Sequence, residues 1–196
     1  MDNPQLALPQ QVKKINKQLA LVLPLDVGDR VHYVYSQPLP PEVFKRYWLI
    51  FSKTFATIYN ENLTMMAGPR IAAMAMREFA TTHGLQDEVE LGVFGELKRL
   101  SYVIHPVEGK GWQQLMLDDA LKANLLSAED MDEVENILTF FTVTWSMHRG
   151  GTREAMIGGA ARLWDAQTTL STCSEFVASL PKLTTAVNSG VTVKVA

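Results

Sequence analysis

The sequence predicts a mainly α fold: a single helical domain of about five to seven helices with a small N-terminal β-hairpin. Two observations lead to this prediction. Apolar residues recur at spacings of three and four through most of residues 41–182, whereas period-two alternation occurs only in the first forty residues and after Pro181. The chain has 196 residues, of which 47% are hydrophobic and 20% charged. Such a chain can bury a core without disulfides or a structural metal.

Residues 1–40 are expected to form a hairpin or an extended segment. The runs LALVLPL and RVHYVYSQPL are rich in valine, leucine and tyrosine, and the DVGD between them supplies a glycine suited to a turn. In the second run, Val31, Tyr33 and Tyr35 alternate with His32 and Val34, which is typical of a strand with one face covered.

An aromatic helix is expected next, because Pro40 and Pro41 suit the first turn of a helix. The residues that share its expected apolar stripe are Phe44, Tyr47, Trp48, Phe51, Phe55, Ile58 and Tyr59. Rings at this spacing favour a core-facing stripe over an aromatic platform for a ligand.

The stretch TMMAGPRIAAMAMREFA at residues 64–80 predicts a helix entrance. Gly68 allows a turn, Pro69 starts the helix, and Gly84 stops it. Methionine is a flexible side chain that serves either as a core filler or as an adaptable surface for a peptide. The candidate partner-binding residues here are Met65, Met66, Met74 and Met76.

Helical spacing continues along the second half of the chain. Helices are expected within residues 87–104 and 112–126, and SAED at residues 127–130 resembles a capping box that starts another one. The stripe of that helix consists of Met131, Val134, Leu138, Phe141 and Trp145. Residues 41–182 are therefore assigned to the helical domain.

Two glycine pairs interrupt the run HRGGTREAMIGGAARLW, which matches neither a P-loop nor a dinucleotide-binding fingerprint. The run is either a hinge between helices or, at Gly158 and Gly159, a close-packing face for another helix or subunit. Both glycines are therefore candidate partner-binding residues. A further stripe ends at Pro181, and residues 183–196 are expected to form a terminal strand or tail.

No catalytic signature is present, so an enzyme, a cofactor or a metal site is not expected. The four histidines lack the spacing of metal ligands. Cys173 is the only cysteine, which favours a reduced, buried thiol over a nucleophile paired with His148.

The charge distribution and the apolar runs argue against a nucleic-acid binder, an exported protein and a membrane-spanning protein. Residues 1–80 carry nine Lys/Arg and six Asp/Glu, whereas residues 81–196 carry nine and fifteen. Patches of opposite sign would favour ordered association, but a nucleic-acid binder is not expected from so small a basic excess. The N-terminus lacks a signal-peptide pattern, and the densest apolar run, ILTFFTVTWSM, is too short for a membrane span.

Two runs resemble a known group of proteins: YVYSQPLPPEVFKRYWLIFSKTFATIYNENLTMMAGPRIAAMAMREFA and ARLWDAQTTLSTCSEFVASLP. In their order of strand, S-x-P-L, aromatic helix, A-G-P-R and alanine-rich helix, they resemble tail assembly chaperones of tailed bacteriophages. The resemblance implies a mainly helical, non-enzymatic protein of the host cytoplasm. Such a protein binds a tail protein of the tape-measure type and keeps it soluble during tail assembly.

Alternatives to the chaperone function stay open. The chain could instead be a virion structural or tail-completion protein, or an enzyme or DNA-binding accessory without a recognisable motif. A homo-oligomer is also possible.

Overall fold

Alternating apolar residues build the expected N-terminal hairpin. The structure, a computed structural model, describes residues 19–60, 64–148 and 150–182. Strands β1 (Ala20–Val27) and β2 (Arg30–Ser36) pair antiparallel. They turn at Gly28, whose φ of +61° suits glycine. The predictions for residues 1–18 and 183–196 lie outside the described residues.

The prediction of a mainly α fold is wrong, because the hairpin is part of a larger sheet. Strands β3 (Ser101–Val107), β4 (Gly111–Met116) and β5 (Gln167–Thr169) extend it to five antiparallel strands in the order β4-β3-β2-β1-β5. The fold is therefore mixed α/β. The spacing of apolar residues predicts helices at residues 101–104 and 112–116, and this prediction is wrong. Instead, Val103 pairs with Val34 of β2 and with Leu115 of β4.

The helices lie between the β1–β2 hairpin and the β3–β4 hairpin, and after the β3–β4 hairpin. They are α1 (Pro41–Arg46), α2 (Trp48–Asn60), α3 (Thr64–His83), α4 (Glu88–Phe94, π-helical), α5 (Gly95–Arg99), α6 (Leu117–Lys122), α7 (Ala128–Met147), α8 (Gly150–Leu163) and α9 (Cys173–Ser179). The predicted capping box at the start of α7 is confirmed. The Ser127 hydroxyl accepts from the Asp130 amide, and the Asp130 carboxylate accepts from the Ser127 amide.

The sheet is covered on both faces because its strands alternate. Leu23, Val34 and Val103 lie on the inner face and belong to a core that includes apolar residues of α2, α3, α7 and α8. On the outer face, residues such as Val22 and Ile104 pack with α9. A further apolar cluster joins α2, α3, α4 and α5. In the aromatic helix, Phe51 is fully buried as expected, whereas Trp48 is exposed.

Helix α3 runs through the predicted helix entrance instead of beginning there. It starts at Thr64, so that Pro69 lies inside it. One turn later, the amide of Ala73 donates to Oδ1 of Asn136 on α7, at 3.0 Å. This bond joins the backbone of α3 to a buried side chain of α7. Gly68 lets the helix approach α7 closely, because a Cβ there would lie 2.6 Å from the ring of Phe140.

Candidate partner-binding surface

Three of the four candidate methionines can be placed by their burial. Met66 is 71% exposed and Met74 is 61% exposed, whereas Met76 is fully buried in the cluster that contains Phe51. Met76 therefore belongs to the core and does not form part of a surface. Met65 lies in α3, but its side chain is outside the described residues.

The exposed methionines belong to one row on α3. Met66, Arg70, Met74 and Glu78 follow one another at intervals of four residues, and all four are exposed. Residues four apart are neighbours on a helix surface. The row therefore presents apolar and charged side chains in alternation, and we call it the α3 ridge. Ile71 and Ala75 lie beside it and are half-buried.

Arg70 links the α3 ridge to the end of α8. Its guanidinium lies over the indole ring of Trp164, with 5.4 Å between Cζ and the ring centroid. Within the described ranges, no carboxylate lies within salt-bridge distance of Arg70, and no basic group lies within salt-bridge distance of Glu78. The neighbouring Leu163 is 56% exposed, which adds apolar surface at this end of α8.

A charged network beside the α3 ridge, three residues after Met74, ties the helix to its neighbours. Arg77 donates to Glu90 at 2.7 Å and to the buried Glu135 of α7 at 2.6 Å. Lys98 of α5 also lies 3.2 Å from Glu135. Burial alone would lower the pKa of Arg77, but its hydrogen bonds to Glu90 and Glu135 outweigh burial and raise it. Arg77 therefore stays charged, and its ion pairs join α3 to α4 and α7 beside the exposed ridge.

The second pair of candidate residues, Gly158 and Gly159, lies within α8 and is half-buried. A Cβ at Gly158 would meet nothing within 4 Å among the described residues. Within the described residues, Gly158 therefore does not serve close packing. Its use as a contact face for another chain stays a prediction.

Replacing Gly158 with alanine is expected to raise the free energy of unfolding by up to about 1 kcal/mol. Alanine is the better helix former, and the added methyl group has open space. Urea denaturation would measure the difference. A loss of stability would show that this face of α8 is covered within the chain.

Cys173 and His148 do not form a nucleophile–base pair. The Cys173 thiol lies 3.0 Å from Oε1 of Gln114 on the outer face of the sheet. His148 contacts the rings of Phe55 and Tyr59. Burial raises the pKa of Cys173 to about 11, so the thiol is protonated near neutral pH. The arrangement does not support an activated nucleophile.

Two histidines lie opposite each other on the inner face of the sheet. The rings of His32 and His105 are 6.0 Å apart, and His32 is only 6% exposed. Among the described residues, no group forms a hydrogen bond with Nδ1 of His32. Burial, His105 and Arg30 lower the pKa of His32, and Asp130 opposes them. Burial also lowers the pKa of His105. No group of three possible metal ligands occurs in the part of the chain that the structure describes.

Acidification from pH 7.5 to 5.5 is expected to destabilise the fold through this pair. The folded pKa of His32 lies below its ordinary value of 6.5, so the unfolded chain binds protons more readily. The contribution to stability is complete above about pH 6.5 and is lost as the pH falls towards the folded pKa. Urea denaturation across this range should show a flatter pH profile for His32→Leu than for the unmodified protein. An unchanged slope would contradict this assignment.

Sequence reasoning missed Arg70, Glu78 and Leu163 as members of the surface. The first two could have been found from their spacing of four residues from Met66 and Met74. Exposure of Leu163 depends on how α8 packs, so the sequence carries no comparable signal for it.

In the described ranges, none of the helices combines the length and apolar character needed to cross a membrane. Comparisons of the chain with protein-family models, with curated proteins and with solved structures found no significant match.

Proposed function

We propose that this chain is a non-enzymatic bacteriophage protein that acts in the host cytoplasm, where it binds a tail protein of the tape-measure type and assists tail assembly. The resemblance of its sequence to tail assembly chaperones supports this function. The observation that carries the proposal is the exposure of Met66 and Met74 on one ridge of α3.

Exposed methionines suit a chaperone because their side chains are long, apolar and flexible. Such a surface can repack around different apolar partners, so it does not need a rigid pocket. The charged members of the α3 ridge, Arg70 and Glu78, keep the exposed apolar area small.

The expected partner chemistry follows from the resemblance. Tape measure proteins are long and prone to form coiled coils, so each presents helices with an apolar stripe. A helix of this kind lays its apolar side chains against a complementary ridge at spacings of three and four residues. The α3 ridge offers apolar side chains eight residues apart, with a charged residue between them.

Co-expression with tail proteins of the same phage tests the proposal. The unmodified chain should yield a soluble complex with the tape-measure-type protein. The double variant Met66→Ser and Met74→Ser should bind at least about tenfold more weakly, since two apolar anchors are lost. Met116→Ser is the matched control, because Met116 is partly exposed on β4 and not on α3. Failure to form a complex with any tail protein would overturn the proposal.

The composition of purified phage particles separates the proposed chaperone from the alternative, a virion structural or tail-completion protein. A chaperone leaves the assembled tail, so mass spectrometry of particles should not detect this chain. Stoichiometric amounts in the particle would instead favour the structural role.

A further inference from the structure

The charges on the α3 ridge are arranged symmetrically about one residue. Arg70 lies four residues before Met74, and Glu78 lies four residues after it. At a rise of 1.5 Å per residue, the two charged residues are about 12 Å apart along the helix axis. Both side chains are exposed, and neither forms an ion pair within the described residues.

We propose that two copies of this chain associate through the α3 ridge in an antiparallel arrangement, with Met74 at the two-fold axis. Arg70 of each copy then meets Glu78 of the partner subunit, so both charges are paired. A parallel arrangement would instead place like charges against each other. An isologous contact of this kind uses the same patch on both subunits, and the ridge is complementary to itself.

Helix packing geometry is compatible with this pairing. Residues at intervals of four form a ridge, and the ridges of two helices interdigitate, each in a groove of the other, at a crossing angle of about −50°. Met74 lies at the crossing point, and the half-buried Ala75 beside it is small enough to permit close approach. Arg70 and Glu78 have long side chains that reach across as the helices diverge.

The dimer is expected to be weak and reversible. One helix from each copy buries less area than the roughly 1,600 Å² of a standard stable interface. The association shares its surface with the proposed partner site, but it needs no tail protein. It is measured on the purified chain alone, and its failure is therefore distinct from failure of the proposed function.

Charge reversal at the two positions provides the test. Light scattering across a concentration series should show a mass that rises from 21.9 kDa towards twice that value for the unmodified chain. Arg70→Glu alone and Glu78→Arg alone should each raise the dissociation constant at least about tenfold. The double variant should dimerise again, because it exchanges the two charges. An equimolar mixture of the two single variants should also dimerise, since each supplies the charge that the other lacks.

Three results would overturn the proposal. The first is a mass that stays monomeric up to millimolar concentration. The second is a dimer whose stability does not respond to either single reversal. The third is a double variant that stays as weakly associated as the single ones. Because Glu78 is exposed, thermal unfolding of Glu78→Arg should match that of the unmodified chain. Arg70→Glu also loses the contact with Trp164, so Glu78→Arg is the variant that separates association from stability.

Discussion

Replacing Glu135 with leucine is expected to lower the free energy of unfolding by about 3 kcal/mol, because it removes the buried anion that Arg77 and Lys98 share. Both cations would then face an apolar side chain while remaining partly shielded from water. The value is placed at the low end for a broken buried pair, since Arg77 keeps its contact with Glu90. Urea denaturation at neutral pH would measure it.

Glu90→Leu is the matched control for this prediction. Glu90 binds the same arginine, but it is 46% exposed, so its loss should cost no more than about 1 kcal/mol. Equal losses for the two variants would contradict the view that Glu135 is the centre of the network.

Replacing Gly68 with alanine is expected to lower the free energy of unfolding by about 2 kcal/mol. The added methyl group would lie within 3 Å of the ring of Phe140, which is fully buried. This overpacking outweighs the improved helix propensity of alanine. The same substitution at Gly158 has the opposite expected sign, so the pair separates packing from propensity.

A double-mutant cycle with Phe140→Leu tests the cause. A smaller side chain at residue 140 makes room for the methyl group, so Gly68→Ala should cost less in that background than in the unmodified chain. Additive losses would show that the effect of Gly68→Ala arises elsewhere. The measurement is equilibrium unfolding of all four proteins under the same conditions.

Short-range patterns predicted a substantial part of the fold. Alternation along Val31–Tyr35 identified β2, and the capping box at Ser127 identified the start of α7. Each of these signals depends on residues that are close in sequence. Helical spacing also identified α3, although not its first turn, because a glycine and a proline together normally mark a boundary.

The second hairpin could not be recognised from the spacing of apolar residues. The run SYVIHPV contains β-branched and aromatic residues, yet its first residues also continue the helical spacing of Val89, Val93 and Leu97. The strand prevails because β2 offers a free edge to which β3 adds its backbone hydrogen bonds. A short apolar run is ambiguous until a partner strand is present.

The sequence by itself determined the composition of the candidate surface: two methionines, an arginine and a glutamate at intervals of four residues on a helix. Only the tertiary structure decided that Met66 and Met74 face outward while Met76 and Glu135 are buried. The physical reason is that a helix pattern fixes which side chains share a face, whereas the packing of α2, α4 and α7 around α3 decides which face is covered. Burial depends on contacts between distant parts of the chain, and local spacing does not contain them.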